Sequence, residues 1–185
     1  MMDRLQQERQ ENVAGYMVRM WHLEDVLRAT KFDPASIRAT LVDPMDGDAE
    51  QKANAYAWYL ALAERMVKEG LTRHGHLSEV LEALTDLEAL HHALINVMEE
   101  PLYASLYTDA KEDIEALGRQ VDNEEDDRGI VELCFTGLYG VMLLRAQGRE
   151  ISKDTAAADE RIRKLLENLS VHYRQMRKLP GISLN

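Results

Sequence analysis

The chain has 185 residues, 45% of them hydrophobic, which is enough to bury one sizeable core without disulfide or metal staples. Twenty-two basic against thirty-three acidic residues give a formal net charge of -11, which repels phosphate backbones and anionic lipid, so neither nucleic acid nor a membrane is expected as a partner. The one cysteine, Cys134, excludes an intrachain disulfide and favours a reducing, cytoplasmic compartment.

Residues 1–9 contain no apolar h-region, so neither a secretory signal nor an anchor is expected there. From there apolar residues recur at three- and four-residue steps in every long segment, β-branched alternation is absent, and no strand is predicted. The first helix is predicted over residues 3–29, with Val13, Tyr16, Met17, Met20, Leu23 and Leu27 on one face. Asp33-Pro34 reads as an N-cap followed by proline at N1, opening a short second helix through Ile37 and Leu41. A third helix starts near Asp48 and places Tyr56, Tyr59, Leu60, Ala63, Met66 and Val67 on its stripe, until Gly70 and Gly75 break the pattern. Trp58 falls off that stripe.

The fourth helix, residues 77–98, presents Leu77, Val80, Leu84, Leu87, Leu94 and Met98, and Pro101 marks its end. Residues 102–121 form a clean amphipathic face through Tyr103, Tyr107, Ala110 and Ile114, followed by an acidic run at 123–127 that reads as a solvated loop ahead of the next helix. Residues 128–147 are apolar nearly all round, which predicts a helix in the middle of a bundle. Its longest apolar run, 133–144, is shorter than the ~20 residues a membrane span needs. Gly137 and Gly140 each cost roughly 1 kcal/mol against Ala in a helix interior, so a close helix crossing is expected there. Ser152 caps a last helix, 153–178, with Ile162, Leu165, Leu166, Leu169 and Tyr173 inward. The expected fold is therefore all-α: one domain over residues 1–185, a compact bundle of six or seven helices around the segment 128–147.

Two polar residues interrupt apolar stripes. Steps of 100° put Glu24 inside the arc of Val13, Met17, Met20 and Leu27, and His91 among Leu84, Leu87, Leu94 and Met98. Burying an unpaired charge costs several kcal/mol, so the two are expected to meet in a polar core or pocket, helped by Trp21, Tyr139 or Arg145. Glu88-Ala89-Leu90-His91 has the E-x-x-H spacing of dimetal carboxylate bundles, but no second copy exists, and no metal or cofactor is expected. His74-Gly75-His76 lacks the further ligands of a closed zinc site. Lys68, Arg73, His74 and His76 at one helix end, and Arg174, Arg177 and Lys178 at another, are cations that complement helix dipoles. Gly-rich phosphate loops, nucleophile elbows and Cys-x-x-Cys pairs are absent. Cys134, set among Leu133, Phe135 and Leu138, is expected to be buried and inert.

The run 11–25, from Glu11 through Tyr16 and Trp21 to Asp25, resembles the signature of a bacterial family of unknown function. Lys68-Glu69-Gly70, Gly75-His76-Leu77, Leu143-Leu144-Arg145 and Glu150-Ile151-Ser152 continue the resemblance, and Glu132-Leu133-Cys134-Phe135-Thr136-Gly137-Leu138-Tyr139-Gly140 is its most specific piece. The resemblance implies a compact all-helical fold and brings no activity, cofactor or catalytic residue. Two functional readings follow from the residues. One is a soluble interaction or scaffold domain, as a homo-oligomer or with a protein partner, using Trp58 as its exposed aromatic. The other is an enzyme or small-molecule binder with a polar interhelical pocket around Glu24 and His91.

Overall fold

A computed structural model of the chain describes residues 2–120 and 128–178, and within them it is all helical. The elements are α1 (Met2–Glu11), α2 (Val13–Ala29), α3 (Pro34–Ile37, widening into a π turn over Arg38–Val42), α4 (Ala49–Lys68), α5 (Ser78–Asn96), α6 (Pro101–Gln120), α7 (Ile130–Ala146) and α8 (Lys153–Arg177). The acidic run 123–127 lies outside the described residues.

The long first helix expected from periodicity is two helices, because Asn12 leaves the helical region (φ -147°, ψ 76°) and its side chain accepts the Gly15 N–H at 3.0 Å as an N-cap. Gly15 is the residue that makes room: a Cβ there would stand 2.6 Å from the Asn12 amide nitrogen. The Ala14 N–H, left free by the break, donates to Ser170 Oγ on α8.

Other starts follow the sequence signals. Asp33 accepts the Ser36 N–H ahead of Pro34, Asp48 and Gln51 form a reciprocal capping box, and Ser152 accepts from Thr155. Three helices take their cap from a glutamate instead. Glu100 accepts the Tyr103 N–H at α6, Glu69 reaches across nine positions to Ser78 at α5, and Glu88 on α5 accepts from Val131 and Glu132 at α7. A carboxylate is well suited to the positive end of the helix dipole.

α7 packs against α2, α5, α6 and α8, as its all-round apolarity requires, and α8 is the second hub, touching α1, α2, α5, α6 and α7. α6 and α8 run antiparallel, with Asp113 bonded to Arg161 at one end and Tyr103 beside His172 at the other. Gly137 sits at a crossing as expected, since a Cβ would come 2.6 Å from Leu117 on α6; Gly140 has no neighbour within 4 Å, so no close approach explains it. On α4 the buried stripe is Ala55, Leu62, Ala63 and Met66, rotated from the expected one, and Val67 is 49% exposed. Met98, expected inward, is 60% exposed because α5 ends at Asn96. No helix among the described residues is long and apolar enough to cross a membrane.

Candidate functional site

Along α2, Trp21, Glu24, Asp25 and Arg28 recur at i, i+3, i+4 and i+7, one face that meets the loop between α4 and α5. Glu24 is fully buried. One carboxylate oxygen accepts the Leu77 N–H at 2.8 Å, and the other lies 2.6 Å from His76 Nδ1. A carboxylate only accepts, so Nδ1 carries the shared hydrogen. The imidazole stacks on Trp21 with centroids 4.5 Å apart and planes 14° from parallel. Tyr139 on α7 lies edge-on to the same indole and donates to Asp25 at 2.7 Å. Burial, then the Asp25 bond, pushes the Tyr139 phenol well above its ordinary range. Asp25 also pairs with Arg28 at 2.8 Å, and Arg28 donates to the carbonyls of Leu71 and Gly75.

Three α2 side chains thus hold the α4–α5 loop by its carbonyls, one N–H and one imidazole. The arrangement fixes His76 through Nδ1 and leaves Nε2 without a partner among the described residues, at a side chain 23% exposed. Trp21 Nε1 is buried and finds no acceptor among the described residues.

His91 is also buried but is solved separately. Its Nδ1 lies 2.7 Å from the Tyr103 hydroxyl, and Tyr107 and His92 stand edge-on to its ring. Burial, reinforced by His92, lowers His91 from 6.5 to about 4, so the neutral ring accepts from the phenol, whose own ionisation burial pushes far up. Glu24 and His91 therefore do not share a partner; each finds its own. Glu88, the carboxylate of the E-x-x-H spacing, is spent capping α7, where Gly129 leaves the space it occupies. Among the described residues no three His, Cys, Asp or Glu side chains gather to hold a metal.

Of the other sequence candidates, Trp21 and Tyr139 join the Glu24 cluster, whereas Arg145 pairs at 2.9 Å with the buried Asp159 of α8. Trp58 is half-buried, packed on the core and edge-on to Tyr59 at 5.1 Å. It lies three residues after Ala55 and four before Leu62, hence on the true inward stripe of α4. Cys134 is buried, and burial beside Glu88 raises its thiol far above the ordinary range. His76 and Asp25 are members of the cluster that periodicity does not reveal, His76 because it lies in a loop and Asp25 because the residue that ties it to the cluster, Tyr139, is 114 positions away.

A second region stands out by exposure. At the corner between α5 and α6, Val97, Met98 and Leu102 are 79%, 60% and 58% exposed, around Glu99 with φ 48°. Val171, on the part of α8 that reaches this corner through His172 and Glu100, is also exposed.

Residues 2–179 match the model of a domain of unknown function (DUF4924), and the chain belongs to that family. No curated protein and no solved structure matches it.

Proposed function

We propose that this member of the family is a non-enzymatic interaction domain that pairs with a second copy of itself through the α5–α6 corner. The observation that carries the reading is the exposure of Val97, Met98 and Leu102, close together in the chain, apolar surface that water disfavours and that the described residues leave uncovered. Charge supports a copy as the occupant. Glu99 at the corner, and Arg174 and Lys178 at the nearby end of α8, have no ion pair among the described residues, although the chain as a whole is acidic. A two-fold pairing sets the acid of one corner against the cations of the other.

The alternative of an enzyme with a pocket around Glu24 and His91 has less support, because both groups are already satisfied inside the fold by different neighbours. A buried, unpaired Cys134 suits a cytoplasmic, soluble protein, and the acidic balance speaks against nucleic acid.

Sedimentation equilibrium of the full chain tests the proposal. The wild type is expected to dimerise and Met98→Glu/Leu102→Glu to be monomeric with unchanged helicity, since both positions are exposed, and with a melting temperature that no longer rises with protein concentration. A monomeric wild type, or a double variant that still dimerises, overturns the reading.

A further inference from the structure

A cleft of about 490 Å³ opens between the α1–α2 break, α7 and α8. Asn12, Ala14, Gly15 and Val18 line it along the start of α2, where the chain turns at the Asn12 break. The size falls within the range of small-molecule sites. Val18, Leu138 and Met142 give it an apolar bed, and Val18 and Met142 are only partly covered by the rest of the fold.

The rim is charged, and its charges are unequally used. Arg19 is neutralised by Glu8, with contacts at 2.9 and 3.1 Å. Arg163 shares its partner: one nitrogen, Nη2, donates to both oxygens of the buried Asp159 at 3.3 and 3.4 Å, while Arg145 stands 2.9 Å from the same carboxylate as an ion pair. One carboxylate thus serves two guanidiniums, leaving Arg163 with donors to spare at the cleft. His22, exposed on the same rim, has no partner among the described residues. Glu167, one turn beyond Arg163, also lines the cleft, and its charge opposes a second negative charge on any ligand.

From these observations we infer that the cleft binds a monocarboxylate with an aliphatic body. The carboxylate meets Arg163, with His22 beside it, and the hydrocarbon lies on Val18, Leu138 and Met142. A planar guanidinium with unused N–H groups matches a carboxylate in shape and charge, and Glu167 makes a phosphate dianion the poorer fit.

The test is a titration of the full chain with sodium octanoate, followed by the methionine methyl resonances. The methyl of Met142 should shift saturably, and octanol and inorganic phosphate, which each offer half of the chemistry, should bind at least about tenfold more weakly. Arg163→Gln, at an exposed position, should weaken octanoate about tenfold, and Met142→Trp should abolish the response by filling the bed. Melting and helicity of both variants are measured alongside, and the Arg163 result stands even where Met142→Trp fails to fold. A response at Met98 instead of Met142 assigns the fatty chain to the exposed corner and overturns the inference. So does octanol binding as tightly as octanoate, phosphate binding better than either, an Arg163→Gln variant with wild-type affinity, or no saturable response.

Discussion

Glu24 and His91 sit in the same kind of place, an apolar stripe on a long helix, and the fold treats them in opposite ways. Glu24 keeps donors on both of its oxygens, and the chain brings a loop from more than fifty positions away to supply them. His91 meets one neutral hydroxyl twelve positions away and is held uncharged. The difference is one of cost. A carboxylate taken out of water needs charge-assisted bonds to survive as an anion, whereas an imidazole sheds its proton and needs only an ordinary hydrogen bond. One consequence is that Glu24 acts at a distance, tying α2 to the start of α5, while His91 acts locally between α5 and α6.

The largest effect expected from breaking this comparison lies on the Glu24 side. Glu24→Ala removes the acceptor for a buried backbone N–H and for His76, and releases the clamp on the loop; chemical denaturation should show a loss of about 2 to 4 kcal/mol. Glu24→Gln keeps an acceptor for Leu77 and should lose roughly half as much. If Glu24→Ala proves neutral, the cluster is not what holds the loop.

The next effect belongs to His91 and is read with pH. In the unfolded chain an ordinary histidine takes up its proton near 6.5, but in the fold burial and His92 delay this to about 4. Between those values the unfolded state binds more protons. The stability due to neutral His91 is therefore complete above pH 6.5 and declines as pH falls toward 4, by about 3 kcal/mol in all. His91→Gln, which still offers Tyr103 an acceptor and does not titrate in this range, should flatten that part of the stability profile. An unchanged slope would assign the acid sensitivity to another group.

The sequence carried the helices and their phases wherever large apolar residues fell on one side, and it carried Glu24 and His91 but not the other two buried polar residues among those described, Asp159 and Ser170. It misled where size and direction disagreed. On α4, tyrosines flank a buried stripe of two alanines, Leu62 and Met66, so the bulky aromatic residues pointed to the wrong face and put Trp58 outside it. The Asn12 break was hidden because the face of α2 reads smoothly into α1, and only the cap side chain over Gly15 ends the helix. Gly129 and Gly15 owe their identity to neighbouring side chains, Glu88 and Asn12, that no local pattern announces. The partners of Glu24 were illegible for the same reason. Periodicity says that a group is buried; which loop closes over it depends on the path of the chain, and an unpatterned loop histidine such as His76 gives no periodic signal.

The smallest expected effect tests the separation itself. A double-mutant cycle measures whether two side chains act as a unit, and it reports close to zero for residues without a shared partner. Glu24→Ala combined with His91→Leu should therefore lose the sum of the single losses to within about 0.5 kcal/mol. Glu24→Ala combined with His76→Leu should lose less than its sum, because once the carboxylate is gone the imidazole has no bond left to forfeit, and a coupling of about 1 kcal/mol or more is expected. His76 is partly exposed, so water recovers some of the lost bond and the coupling stays below that of a fully buried ion pair. Should the first cycle couple strongly and the second not at all, the two polar groups would be working together through the core, and the division drawn between a long-range clamp and a local hydrogen bond would have to be abandoned.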